Sequence, residues 1–279
     1  MSLTSLPGYT AFLLAVFAAS ALTTALVLHR LRIIDIPNER SSHTRPTPRG
    51  GGLGIVLGYL LALCLIRYFG DAGEITALQS LPHLGLLLAV LLIGGISLHD
   101  DIAARGFASK LLVQLIAAAL LMICGLSIPS DLIAPLPGWL AWPLTLIWLV
   151  GLTNAYNFMD GLDGMAAGTA VVAAAFFALI CHMNGQPLPG LMASALSIAS
   201  CGFLLFNWPP AKIFMGDIGS TFLGFLFAAL PLLLLQSNPA PATVPWLLLT
   251  MPLLLLHYLF DTLLTFTRRL LAGENVTQA

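Results

Sequence analysis

The stretch PHLGLLLAVLLIGGISL at residues 82–98 decides the fold class of this chain. A continuous, Leu-rich apolar run without alternation is typical of a helix that spans a membrane, which needs about 20 residues. Since 58% of the 279 residues are hydrophobic and only 8% are charged, a soluble domain is excluded. The sequence predicts an all-α, polytopic membrane helical bundle with about nine transmembrane helices. The other eight runs lie near residues 9–29, 50–69, 108–128, 138–153, 163–182, 190–206, 217–235 and 244–267.

The basic residues lie mostly on one side of the predicted bundle. Ten of the eleven Lys and Arg residues fall at connections on the same side, whereas Arg67 falls on the other. By the positive-inside rule the basic side faces the cytoplasm, so we expect the N-terminus outside and the C-terminus inside. Because no long polar linker interrupts the chain, we expect one integral-membrane domain over residues 1–279.

A glycine run follows a basic segment between the first two predicted spans. His43, Arg45 and Arg49 precede three glycines in IDIPNERSSHTRPTPRGGG, residues 34–52. Glycines let backbone N–H groups approach phosphate oxygens, and guanidinium groups add charge-assisted hydrogen bonds. A solvated loop that only sets the topology explains the same composition equally well, so both interpretations stay open.

Two adjacent acids, Asp100 and Asp101, follow the third predicted span. Their side chains point about 100° apart on a helix, so both reach one ion only where the helix ends. Carboxylate oxygens are the ligands that magnesium prefers. The structural alternative is a solvated helix end partly neutralised by Arg105, but the helix dipole disfavours acids at that end. A functional site is therefore favoured.

A third polar segment, NAYNFMDGLDG at residues 154–164, carries amides and acids at intervals of three: Asn154, Asn157, Asp160 and Asp163. Neighbouring members of such a series share one flank of a helix. The alternative is a turn between two spans, where Asn, Asp and Gly are common. Four such groups at one spacing favour a functional site.

Asp217 opens the eighth predicted span within FMGDIGS, residues 214–220. A helix cap alone would explain this residue. Because two other acidic segments lie on the same predicted face, a role in a shared site is favoured. Asp261 lies deeper in the ninth span, where pairing with Arg268 or a neighbouring helix is preferred over a catalytic role.

Four segments resemble motifs of the polyprenyl-phosphate N-acetylhexosamine-1-phosphate transferases (glycosyltransferase family 4), which include the phospho-MurNAc-pentapeptide translocase. They are DIPNERSSHTRPTPRGGG at 35–52, HDD at 99–101, NAYNFMDGLDG at 154–164 and PAKIFMGDIGS at 210–220. The resemblance covers nearly the whole chain, and PNERSSHTRPTPRGGG looks like the branch that starts O-antigen or similar polysaccharides. It implies transfer of a sugar-1-phosphate from a UDP-N-acetylhexosamine to undecaprenyl phosphate, with release of UMP, at the cytoplasmic face of the bacterial inner membrane.

The resemblance also implies residue roles, with Mg²⁺ as cofactor and Mn²⁺ as an alternative ion. One acid of the Asp100–Asp101 pair assists or deprotonates the lipid phosphate and the other lies near the metal, while Asp217 is the principal ligand. The expected catalytic residues are Asp100, Asp101, Asp160 and Asp163. The expected substrate-binding residues are His43, Arg49, Lys110, Asn154, Asn157 and Lys212. The expected metal ligands are Asp217, Asp101 and Asn157. The implied partners are the UDP-N-acetyl sugar, undecaprenyl phosphate and the bilayer, with no nucleic acid, and a homodimer is left open.

Two other interpretations remain. An ion-coupled transporter would use its acids as a relay near mid-depth of the membrane. The family resemblance also implies a His-rich motif and further spans after the ninth, whereas this chain ends at Ala279. We therefore expect a truncated form, and a catalytically inactive relative is the second alternative.

Overall fold

The computed structural model describes residues 3, 5–31, 33–37, 45–103, 107–130, 137–236 and 244–273, which form a helical bundle. The helices are α1 (Leu6–Arg30), α2 (Gly52–Phe69), α3 (Ala72–Leu78), α4 (Leu81–Ala103), α5 (Phe107–Ile123), α6 (Ala141–Phe158), α7 (Met165–Met183), α8 (Pro187–Asn207), α9 (Asp217–Gln236), α10 (Val244–Leu254) and α11 (Leu256–Leu271). Two short strands, β1 (Ile34–Asp35) and β2 (Thr47–Pro48), pair antiparallel. The expected all-α membrane bundle is confirmed.

Within the described residues, each of the nine predicted apolar runs coincides with a helix or, for the last run, with the pair α10–α11. In the part of the chain that the structure describes, six helices are long and apolar enough to cross a membrane, namely α1, α2, α4, α7, α8 and α9. The pair α10–α11 makes a seventh if it counts as one span, although it bends by 67° at Leu255. Helix α5 is shorter, and α6 is not among the six because its last turns carry amides such as Asn154 and Asn157.

Helix α9 is the centre of the bundle. It is buried along 94% of its apolar window, and α2, α4 and α6 pack around it. Small residues allow this close approach, since a Cβ on Gly224 would lie 2.8 Å from the Cβ of Tyr156 on α6. Ser97 of α4 and Thr221 of α9 share a hydrogen bond of 2.8 Å. The start of α9 is therefore held in a fixed position against three neighbouring helices.

The antiparallel helices bring the expected polar segments to one end of the bundle. This end, named here the acidic end, contains the last turns of α4, α6 and α8 and the first turn of α9. The opposite end contains α3, the start of α1 and the junction of α7 with α8. Each end has a cavity between its helices.

Candidate active site

A cavity of about 270 Å³ opens at the acidic end. Its walls come from the β1 and β2 segments, the end of α4, the α6–α7 turn and the segment before α9. Most of its lining side chains are polar. The lining residues are Asp35, Arg49, Asp101, Asn157, Asp160, Gly161, Leu162, Asp163, Asn207, Phe214, Met215, Gly216 and Asp217.

Lys110 joins two acids at the edge of this cavity. Its Nζ lies 2.6 Å from Oδ2 of Asp217 and 3.0 Å from Oδ2 of Asp100. The three residues come from α5, α9 and α4, so the ammonium links three helices. Because the two carboxylates share one cation, they are held close together in a partly buried setting.

Asn157 fixes the other oxygen of Asp217. The Asn157 amide donates to Oδ1 of Asp217 at 3.1 Å and to Oγ of Ser220 at 2.7 Å. Both oxygens of Asp217 are thus engaged, one by a cation and one by an amide. The carboxylate is therefore fixed in orientation before any ligand binds.

Asp101 caps helix α9 from a neighbouring helix. Its Oδ1 and Oδ2 accept the backbone N–H groups of Asp217 and Ile218, each at 3.1 Å. A carboxylate at a helix N-terminus is stabilising because it satisfies free N–H groups and opposes the dipole. Gly216 is required beside it, since its φ is +74° and a Cβ there would lie 2.7 Å from Oδ2 of Asp101. Both oxygens of this expected metal ligand thus serve to position Asp217.

Arg49 closes the end of α4 above Asp101. Its Nη2 donates to the Asp101 carbonyl oxygen at 2.9 Å, where a cation is favoured by the helix dipole. Its Nε is buried and has no partner among the described residues. Because Arg49 also lines the cavity, its guanidinium is placed to meet an anion there.

The glycine run is used for backbone pairing. The N–H groups of Gly51 and Gly52 donate to the carbonyls of Phe214 and Met215 at 3.0 and 2.8 Å. A Cβ on Gly52 would collide with the backbone of Gly219. These two N–H groups are therefore occupied within the protein, and the phosphate-cradle interpretation does not apply to them.

Asp163 and Asn207 hold two turns together at the far wall of the cavity. Oδ2 of Asp163 accepts the backbone N–H of Ala211 at 2.9 Å. The Asn207 side chain accepts from Gly164 N–H at 2.9 Å and donates to the Ile213 carbonyl at 3.0 Å. In this arrangement Asp163, expected to be catalytic, positions the segment that leads to α9.

Asp160 faces the other acids across the cavity. Burial, together with the nearby charges of Asp217 and Asp101, raises the pKa of its carboxyl from 3.8 to about 7. Asp160 is thus close to half-protonated at neutral pH.

Two expected substrate-binding residues stand apart from the cavity, and a third lies outside the described residues. Lys212 is exposed and does not line it, although its backbone N–H bonds to the Phe206 carbonyl. Asn154 lies one turn deeper than Asn157 and donates to Oε1 of Gln114 and the Val150 carbonyl, so it links α6 with α5. His43 lies outside the described residues.

Sequence reasoning missed several lining residues, notably Asp35, Asn207 and Phe214. Each lies inside or beside a quoted motif, yet none carries a spacing signal of its own. Asn207 ends a predicted apolar run, and a polar residue at the edge of such a run was the available signal. The two hydrogen bonds of the Asn207 side chain form because α8 packs against the α6–α7 turn, which the sequence alone does not show.

The donors at the acidic end fit a divalent cation with few protein ligands. Among the described residues, no three His, Cys, Asp or Glu side chains form a metal-binding group by themselves. However, Oδ1 of Asp100 is buried without a hydrogen-bond partner in the described chain. A buried carboxylate oxygen is costly until a cation or donor reaches it. Magnesium suits this set because it keeps several waters and binds through one or two carboxylates.

Comparison with known proteins gives consistent matches. The family model described as glycosyl transferase family 4 matches residues 83–235. The chain is 31% identical to the probable undecaprenyl-phosphate N-acetylglucosaminyl 1-phosphate transferase of Bacillus subtilis, over 94% of this chain and 73% of the relative. It is 33% identical to the decaprenyl-phosphate N-acetylglucosaminephosphotransferase of Mycobacterium leprae, over 97% of this chain and 73% of the relative. It is also 35% identical to the phospho-N-acetylmuramoyl-pentapeptide-transferase of Halalkalibacterium halodurans, over 68% of this chain and 62% of the relative.

Proposed function

The chain belongs to glycosyl transferase family 4, and from this membership we propose that it transfers an N-acetylhexosamine-1-phosphate from a UDP-sugar to undecaprenyl phosphate. It is a membrane-embedded transferase, and the relatives are named for polyprenyl-phosphate acceptors. The observation that carries the proposal is the Lys110 ammonium, held 3.0 and 2.6 Å from the carboxylates of Asp100 and Asp217 beside a polar cavity.

Lys110 supplies positive charge where two anions must meet. Both proposed substrates carry phosphate groups, so their approach requires neutralisation. A lysine ammonium has three donor hydrogens. Asp217 and Asp100 take two of them in the described structure, and the third is available to a phosphate oxygen. Arg49, which lines the cavity, is the second cation for the same purpose.

The reaction is a displacement at the sugar-linked phosphorus. An oxygen of undecaprenyl phosphate forms a bond to this phosphorus, the bond to the oxygen shared with the uridine-linked phosphate breaks, and UMP leaves with that electron pair. Asp100 is the acid that takes the acceptor's proton, because its Oδ1 has no hydrogen-bond partner among the described residues. Asp101 instead holds the start of α9, since both its oxygens accept backbone N–H groups.

Magnesium is the proposed cofactor, held by Asp217 with the Asn157 side chain beside it. This assignment rests on the carboxylate of Asp217, whose side chain is 28% exposed and lines the cavity. When bound, the ion would neutralise phosphate charge and orient the diphosphate. Asn157 fixes the plane of the Asp217 carboxylate by its hydrogen bond of 3.1 Å.

The proposed location is the cytoplasmic face of a bacterial inner membrane, with the N-terminus outside. The excess of Lys and Arg at the connections of the acidic end supports this orientation. A role in starting O-antigen or a related polysaccharide is supported by the PNERSSHTRPTPRGGG segment. The transporter alternative lacks such support, because Asp100, Asp101 and Asp217 lie in end turns of α4 and α9.

The test is a transfer assay on the purified full chain. Undecaprenyl phosphate, magnesium and radiolabelled UDP-GlcNAc should give a lipid-soluble product and an equal amount of UMP, with UDP-FucNAc and UDP-QuiNAc tested in parallel. EDTA and Asp217→Asn should abolish the product. Asp261→Asn is the matched control, since that acid is exposed on α11 and should be dispensable. Product that persists in EDTA would overturn the metal role, and failure with all three donors would favour an inactive relative.

A further inference from the structure

A second cavity, of about 410 Å³, lies at the opposite end of the bundle. It is formed by the start of α1, by α3 and by the junction of α7 with α8. Sites for small molecules typically measure roughly 300–1,000 Å³ and combine apolar walls with a few polar groups. This cavity has that character, since its lining includes Leu3, Leu6, Leu191, Tyr9, His182 and Glu74.

Glu74 is a buried acid on the wall of this cavity. Its side chain is only 4% exposed, and its Oε2 accepts the Asp71 N–H at 2.9 Å in the capping box that starts α3. Among the described residues it has no ion-pair partner. A capping box forms equally with Gln at this position, so helix capping does not require the charge. A buried carboxylate is stabilised by a positive partner, so a cation that enters the cavity can pair with Glu74.

An aromatic wall stands in the same cavity. The Tyr9 hydroxyl donates to Oγ of Ser194 at 2.8 Å, and this bond fixes the ring. The His182 imidazole meets that ring edge-on with centroids 6.2 Å apart, and it lies over Gly190, where a Cβ would be 2.8 Å from its Cε1. A cation beside an aromatic face gains electrostatic attraction. The wall is therefore rigid and suited to a cationic group.

We propose that this cavity binds a primary ammonium group carried on an apolar chain. The ammonium pairs with the Glu74 carboxylate beside Tyr9, and the chain lies against Leu3, Leu6 and Leu191. An aminophospholipid headgroup and a free alkylamine share this chemistry. The site lies at the end of the bundle away from the acidic cavity, so it is independent of the transfer reaction.

The first test compares n-octylammonium with 1-octanol, a neutral probe of the same chain length. The midpoint temperature of thermal unfolding of the purified full chain, measured in a maltoside detergent, should rise more with the ammonium than with the alcohol. Glu74→Gln keeps the cap but removes the charge, so the apparent affinity for octylammonium should fall about tenfold or more. Asp71→Asn is the matched control, because it removes a nearby charge that does not line the cavity and should leave the affinity unchanged.

The second test distinguishes the two sources of the ammonium and does not depend on a variant. The wild-type chain in nanodiscs of phosphatidylethanolamine should show a weaker response to octylammonium than in nanodiscs of phosphatidylglycerol if the lipid headgroup occupies the site. An equal, strong response in both lipids assigns the site to a free amine. Equal stabilisation by octylammonium and octanol, or full retention of the ammonium effect in Glu74→Gln, would overturn the proposal.

Discussion

The two ends of the bundle hold cavities of comparable size but opposite chemical character. At the acidic end, carboxylates are joined into one network by Lys110, Asn157 and the backbone of α9. At the opposite end, Glu74 lines a cavity with mostly apolar side chains and has no ion-pair partner among the described residues. The difference shows that the role of an acid at a helix end depends on the groups that contact it. Where partners are present the acid is positioned for chemistry, and where the cation is missing a ligand is expected.

The largest effect is expected from Lys110→Met. Removing the shared cation leaves Asp100 and Asp217 uncompensated and takes away the donor to phosphate, so transfer should fall by about 10²–10³-fold. Lys212→Met should have a much smaller effect, because that side chain is exposed and away from the cavity. Initial transfer rates of both variants and the wild type, measured at saturating donor, compare the two losses. Equal losses would mean that the two lysines act together. Octylammonium binding should be unchanged in both.

Gly52→Ala is expected to destabilise the acidic end. The added Cβ would meet the backbone of Gly219, so α2 and α9 must separate, at a cost of about 1–3 kcal/mol. Gly95→Ala is the matched control, since nothing lies within 4 Å of its Cβ position and Ala favours the helix. Thermal unfolding of both variants measures the difference. An unchanged melting temperature in Gly52→Ala would contradict the close contact of the two glycines.

A smaller loss is expected from Asp101→Asn. The amide can accept from only one of the two N–H groups of α9 and lacks the charge that opposes the dipole, which should cost about 1–2 kcal/mol. Glu74→Gln at the other end keeps its cap and should be near neutral in the absence of amine. Thermal unfolding compares the two ends directly. A larger loss in Glu74→Gln would reverse the comparison.

The last prediction concerns the pH dependence of stability. The pKa of Asp160 is raised from 3.8 to about 7, so the folded state holds this proton more tightly than the unfolded state. Its contribution to stability is therefore present in full below pH 3.8 and is lost as pH rises to about 7. Asp160→Asn cannot ionise, so its melting temperature relative to wild type should rise over this window in EDTA and level off above it. A pH-independent difference would contradict the raised pKa.

Much of the architecture could be predicted from hydropathy. The run at 82–98 became α4, and the bounds of most other runs shifted by only a few residues. The short helix α3 and the break at Leu255 were not predicted, because seven residues carry little periodicity and a bend depends on neighbouring helices. The acidic end was predictable as a location, since alternating spans bring every second connection to the same side.

The roles within the site were less predictable. Spacing by three grouped Asn154 with Asn157, but the two side chains have different partners, Gln114 on α5 and Asp217 on α9. The glycine run suggested phosphate binding, whereas the N–H groups of Gly51 and Gly52 bond to the segment before α9. These outcomes depend on contacts between residues far apart in the chain, which no local pattern encodes.

The sequence by itself determined the membrane fold and the end of the bundle at which polar groups collect. It does so because a backbone in lipid must satisfy its own hydrogen bonds, which leaves helices, and because helix length fixes where each polar residue emerges. Only the tertiary structure decided that Lys110 rather than Lys212 meets Asp217, that Asp101 caps α9, and that Glu74 has no ion-pair partner among the described residues. Those facts follow from how helices pack side by side, since a pairing energy depends on the distance and burial that packing sets.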